Sequence, residues 1–220
     1  VRILNTGYTG IFMTDPLILK IEQALGRELP GQAAQLLMAP TLRPSGGAGY
    51  DGTHPQPSGV MILLIPMEEQ LSTVFIHRSV WGPHGGQISL PGGRVEKTDP
   101  DLVYTALRET SEEIGVDTQS VRVLGSLTPL YVPHSNYLIH PFVGFVDGAP
   151  EFHPDAHEVE EVIQIPLMTL FDKENRKIMT LHRPQGDITA PYYDASGHRV
   201  WGATAMIISE FEKVFISCIS

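Results

Sequence analysis

The segment 100–114 constrains this chain more than any other, because both ends of a helix are written into it. Asp99 is placed to cap, Pro100 suits the first helical position, and Asp101 complements the positive end of the dipole. Gly115 stands where a helix often closes on a left-handed residue. At about 100° per residue, Glu109, Glu112 and Glu113 fall within a sector of roughly 100°, and Val103, Leu107, Thr110 and Ile114 group opposite them. One side must therefore pack while three carboxylates converge on the other. Like charges at helical neighbours cost about 0.2–0.5 kcal/mol per pair, so the cluster calls for basic neighbours or bound cations. Only Arg108 lies nearby in sequence. A solvated helix face is the plain alternative. Oxygen-only ligation by a few carboxylates is what Mg²⁺ or Mn²⁺ prefers.

The remainder of the chain supplies something for that helix to pack on. Residues 60–65 and 73–77 read as two strands of a hairpin with a longer polar loop at 67–72, and strand-like runs recur at 121–127, 139–146 and 159–165. Amphipathic helices are expected at 16–25 and 203–214. Glycine and proline crowd residues 44–59, which read as a loop ahead of a core domain starting near Val60. Strands outnumber helices, and hairpins mix with crossovers, which predicts a mixed sheet with helices on its faces. The 220 residues suffice for one substantial core, expected over residues 13–220. Residues 1–12 read as an appended remnant or a disordered N-terminus ahead of Met13.

Charge and cysteine content narrow the function classes. Fifteen basic residues against 25 acidic ones leave a formal net charge of −10, which argues against a protein that neutralises nucleic-acid phosphates. Small phosphorylated ligands stay open, because a divalent cation can supply the missing positive charge. The single cysteine, Cys218, excludes an internal disulfide framework and a cysteine zinc site, and a cytoplasmic location is expected. No apolar run approaches the ~18–20 residues of a membrane span, so no membrane partner is expected. His153 and His157 are four apart, but the intervening Pro154 removes the helical face that a paired zinc site would use.

A longer pattern surrounds the acidic helix. Pro91-Gly92-Gly93 precedes it, Asp99 falls between, and Arg108-Glu109-Thr110-Ser111-Glu112-Glu113-Ile114-Gly115-Val116 completes a stretch that resembles the Nudix box. The sequence departs from that box in three places. Gly93 to Arg108 is one residue longer than usual, Asp99 replaces the first glutamate, and Thr110 replaces an aliphatic residue. His84-Gly85-Gly86-Gln87-Ile88-Ser89-Leu90, Leu29 to Gln35, Met38 to Pro40 and Trp201 to Ala205 are similar to segments of the family's coenzyme A pyrophosphatase branch. Gly82-Pro83 fills a region where that branch carries arginine, and Leu90 a place where it carries phenylalanine.

The resemblance implies an α+β protein of the Nudix fold, an α/β/α sandwich with a mixed β-sheet. It also implies a hydrolase that uses Mg²⁺ or Mn²⁺ to cleave the pyrophosphate of coenzyme A or acyl-coenzyme A into 3′,5′-ADP and (acyl-)4′-phosphopantetheine. Carried over by motif position, Glu109, Glu112, Glu113 and the carbonyl of Gly93, or of Gly92, would hold the metal. Arg108 would orient a glutamate. Glu112 is the first choice of general base, and Glu158, in the acidic run 155–161, the second. His84, Gln87, Gly92 and Gly93 are the candidate substrate contacts, with Tyr131, His134, Asn136 and Tyr137 in a loop that could meet a base or a pantetheine arm. ADP-ribose, a dinucleoside polyphosphate or another nucleoside diphosphate is the alternative substrate. A non-catalytic nucleotide-binding module is a third reading, against which the intact glutamate set argues. A homodimer is expected only from the general prevalence of symmetric pairs.

Overall fold

The computed structural model describes residues 14–41, 54–68, 70–81, 85–182 and 186–220. Its organising strand is β1 (Gln56–Met67). Met61, Leu63 and Ile65 are buried in one hydrophobic cluster and Ile62 and Leu64 in another, so alternate side chains feed two cores on opposite faces. On the first face lies α3 (Leu102–Ile114), through Ala106 and Ile114. The other face is covered by α1 (Thr14–Leu25) and α5 (Gly202–Ile219), through Ile18, Ile21, Ile208 and Phe211. Helix, sheet, helix is the resulting order of layers.

The sheet has eight strands and is mixed. β1 runs parallel to β7 (Tyr137–Val146) and antiparallel to β2 (Gln70–Arg78) and β4 (Gly92–Arg94). β2 also pairs with β3 (Ile88–Ser89) and β8 (Val159–Pro166), while β7 pairs with β5 (Val121–Ser126) and β6 (Leu130–Val132). Because β1 is longer than its neighbours, it takes β2 at one end and β4 at the other, and β4 brings Gly93 level with Gly59. A methyl group on Gly59 would stand 2.6 Å from the Leu102 carbonyl oxygen and 3.0 Å from the Ala106 nitrogen. The missing side chain lets α3 settle directly on β1.

Several expectations are corrected. The hairpin register pairs Ile65 with Ser72, Pro66 with Leu71 and Met67 with Gln70, so the strands run on through most of the stretch expected as a longer loop at 67–72. The side chain of Asp101, not Asp99, caps α3, accepting from the Tyr104 N–H at 2.7 Å. The strand now starting at Gln56 lies within the stretch expected to be loop. Three further strands, β9 (Arg176–Leu181), β10 (Ile188–Ala195) and β11 (His198–Trp201), form a second, antiparallel sheet. Its Tyr193, Ala195 and Val200 join the cluster under α5.

Buried polar groups tie these layers. The fully buried Glu210 of α5 accepts from the Gly31 N–H, Gln35 Nε2 at 2.9 Å and Thr128 Oγ1 at 2.6 Å, which fixes α2 (Gly31–Leu36) against α5. Gly59→Ala is expected to lower the unfolding free energy by about 1–3 kcal/mol, since the clash is with helix backbone. Urea denaturation monitored by circular dichroism checks this.

Candidate active site

Arg108 is the hub. Its Nε donates to Asp99 Oδ1 at 3.0 Å and its Nη2 to Asp99 Oδ2 at 2.9 Å, a bidentate fork. Its Nη1 donates to Glu109 Oε1 at 2.9 Å and to Glu112 Oε2 at 2.8 Å, and Nη2 also reaches the Arg94 carbonyl at 3.0 Å. Asp99 is held in place by the Glu96 N–H and Thr105 Oγ1. The Arg108 guanidinium holds the Asp99 carboxyl well below the usual carboxylate range, and Asp99 in turn pushes the Arg108 pKa up. One cation thus links three carboxylates, from α3 and from the loop before it.

Glu113 lies apart from that group. Its side chain is 1% exposed, its Oε1 accepts from Arg78 Nη1 at 2.9 Å, and its Oε2 accepts from the Gly92 N–H at 2.8 Å. Helical spacing placed Glu113 with the converging carboxylates, but the end of β2 draws it into the packed side of the helix. Burial is the first cause that pushes its carboxyl up to about 7, against the Gly92 N–H and the Arg78 charge. Glu109 is also raised, first by burial, with the charges of Glu112 and Glu158 adding to the effect.

The glycine turn fits the carboxylates closely. A methyl group on Gly93 would lie 2.2 Å from Glu109 Oε2, and Gly92 has φ 145° with no room beside the Gly59 carbonyl and Val60. Gly115 closes α3 in the left-handed region, with His153 packed over it. Thr110 fills its apolar position by bonding back to the Ala106 carbonyl at 2.6 Å. The stretch 95–101 between β4 and α3 is irregular.

Of the candidate residues, Glu109, Glu112, Arg108 and Gly93 are brought together, and Gly92 joins them through Glu113. Glu158 is exposed, on a turn tied to β2 by the Ser79 N–H at 2.9 Å, and its charge acts on Glu109. Gln87 is half-buried, and its carbonyl accepts from the Arg78 N–H at 3.0 Å. His84, with Gly82 and Pro83, lies outside the described residues. Arg78 is the site residue that helical spacing missed, because it comes from a strand about thirty positions away and no local pattern points to it.

The donors are the hard oxygens that suit a divalent cation, and the raised Glu109 carboxyl is one that positive charge would relieve. Among the described residues, no three His, Cys, Asp or Glu side chains are already arranged to hold a metal, since arginines take the carboxylate oxygens.

Residues 55–182 match the NUDIX domain model. The chain belongs to the Nudix family of hydrolases. It is 32% identical over 177 residues to an uncharacterised Nudix hydrolase, NudL, of Pectobacterium atrosepticum, covering 80% of this chain and 88% of that protein. It is 34% identical over 164 residues to the mitochondrial coenzyme A diphosphatase NUDT8 of Homo sapiens, covering 72% of this chain and 68% of that one. Among solved structures, a MutT/nudix family protein from Enterococcus faecalis aligns with a TM-score of 0.49 at 20% identity, over 80% of this chain and 65% of that chain. The Nudix fold expected from the box, helices on both faces of a mixed sheet, is the architecture observed. Nudix enzymes generally use divalent metal ions. No described helix is long and apolar enough to cross a membrane.

Two outcomes follow for this Nudix site. Gly93→Ala displaces the Glu109 carboxylate, a flexible group, and is expected to cut hydrolysis by about 100-fold or more while leaving the melting temperature nearly unchanged. Steady-state assay and calorimetry read the two. Because Glu113 has a folded pKa above its ordinary value of 4.5, the folded state binds the extra proton. The stability this lends is complete below pH 4.5 and lost as pH rises to about 7. Denaturation with chelator present should show a fall on the order of 3 kcal/mol across that window, absent in Glu113→Gln.

Proposed function

We propose that this chain hydrolyses the pyrophosphate bond of coenzyme A or an acyl-coenzyme A, releasing 3′,5′-ADP and (acyl-)4′-phosphopantetheine, with Mg²⁺ or Mn²⁺. The observation that carries the substrate is the 34% identity, over most of both chains, to a protein named as a coenzyme A diphosphatase. Residues 13–220 act as one unit in this reading, with α1 and α5 sharing a core with the sheet.

A bound divalent cation supplies Lewis acidity toward phosphoryl oxygens and lowers the pKa of water. Glu109 and Glu112, with the carbonyl of Gly93, would hold it, and Glu113 would join them only by giving up its contact with Arg78 or with the Gly92 N–H. Arg108 keeps Glu109 and Glu112 together from the side through its Nη1. Glu113 accepts from the Gly92 N–H and so holds the first residue of β4 against α3. Glu112 is largely exposed and suits removal of a proton from the attacking water. Glu158, whose charge acts on Glu109, is the second candidate for that step.

The test is a parallel turnover assay with each metal, offering coenzyme A, ADP-ribose and a dinucleoside tetraphosphate, and separating products by chromatography. Preferential release of 3′,5′-ADP from coenzyme A is the expected result. Cleavage of another substrate alone would discard the coenzyme A reading and keep the site. Glu112→Gln should lower turnover by about 100-fold or more, with stability changed by less than about 1 kcal/mol because its ion pair is exposed.

A further inference from the structure

The described arginines that touch the catalytic helix are already committed to carboxylates: Arg108 to Asp99, Glu109 and Glu112, and Arg78 to Glu113. Arg94 differs. It is the residue after Gly93, its side chain is exposed, and among the described residues it makes no ion pair. In a chain of net charge −10, an uncommitted guanidinium one residue from the acidic turn is notable. Its backbone is fixed on both sides, by pairing with Ser58 on β1 and by the Arg108 hydrogen bond to its carbonyl.

Its side chain is placed as well. Successive strand residues turn to opposite faces, so where Gly93 abuts Glu109, Arg94 turns to the other face. There its guanidinium carbon lies 5.3 Å over the ring of Tyr137, the first residue of β7. The registers agree with this: Arg94 pairs with Ser58 and Tyr137 with Gln56, two residues apart and therefore on one face of β1. Stacking on an aromatic ring limits the guanidinium's motion and leaves its N–H edge open, which is the geometry for bidentate recognition of a phosphate.

We infer that Arg94, stacked on Tyr137, is a binding site for a phosphomonoester on the substrate's ribose, separate from the diphosphate held at the glutamates. This rests on the coenzyme A reading, since coenzyme A carries such a 3′-phosphate and ADP-ribose does not. The site would read a terminal phosphate dianion by charge and by the planar fork, across the strand from the reacting centre. Arg94 is then a specificity residue and not a catalytic one.

The experiment compares wild type, Arg94→Gln, Tyr137→Phe and Tyr137→Leu. Binding of adenosine 3′,5′-diphosphate and of adenosine 5′-monophosphate is measured by calorimetry with metal chelated, and hydrolysis of coenzyme A and dephospho-coenzyme A with metal present. Wild type is expected to favour the bisphosphate by about tenfold. Arg94→Gln should erase that preference without changing monophosphate affinity, raise KM for coenzyme A about tenfold, and leave kcat and the dephospho substrate within about twofold. Tyr137→Phe should behave as wild type, and Tyr137→Leu should lose part of the preference. No bisphosphate preference in wild type, or an equal loss for both ligands in Arg94→Gln, overturns the inference. Failure to hydrolyse coenzyme A at all would overturn the proposed function instead, and the binding arm would still decide the role of Arg94.

Discussion

The fork between Arg108 and Asp99 is the interaction on which the site's arrangement depends. Without it, Glu109 and Glu112 would repel each other across one turn of α3, and Glu109 would face partial burial unaided. Asp99 uses both oxygens to fix the guanidinium plane, so the third nitrogen is presented to the two glutamates in a set direction. The same cation takes the Arg94 carbonyl and so anchors the end of β4, the strand that carries Gly92 and Gly93. A carboxylate outside the helix thereby positions three elements at once.

The sheet provides the second half of the constraint. β1 must carry α3 on one face and α1 and α5 on the other, and Gly59 lets the helix approach closely enough for Gly93 to meet Glu109. Arg78 extends from the end of β2 to Glu113, and the Arg78 backbone is bonded to Gly86 and Gln87. The acidic helix is therefore gripped from two directions, by the loop carboxylate Asp99 through the helix's own Arg108 and by the strand residue Arg78 near its end. What stays accessible is Glu112, with Glu158 on a neighbouring turn.

The acidic helix, the main strands and the layer order could be read from periodicity because each is a local pattern: alternation in 60–65, a 3.6 period in 102–114, glycine at the helix end. The role of Asp99 could not, since a residue ahead of a helix looks like a cap whether it bonds to an N–H or, as here, to an arginine nine positions on. Spacing likewise placed Glu113 with its neighbours, whereas the contact that buries it comes from β2. The second sheet is not legible in the sequence because β9 is largely exposed and carries no apolar alternation to mark it. Glu210 and Glu212 carry no local signal, yet Gln35, Thr128 and Tyr193 make them buried acceptors. In each case the missing information was a partner distant in sequence.

A double-mutant cycle on hydrolysis tests the central claim, that Asp99 and Arg108 act as one unit in organising the glutamates. The steady-state kcat/KM is measured for wild type, Asp99→Asn, Arg108→Gln and the double variant, with folding checked by circular dichroism. If the fork positions Glu109 and Glu112, each single change lowers kcat/KM by about 100-fold and the double variant falls no further than the worse single. Independent losses that multiply, to about 10⁴-fold in the double variant, would contradict the account.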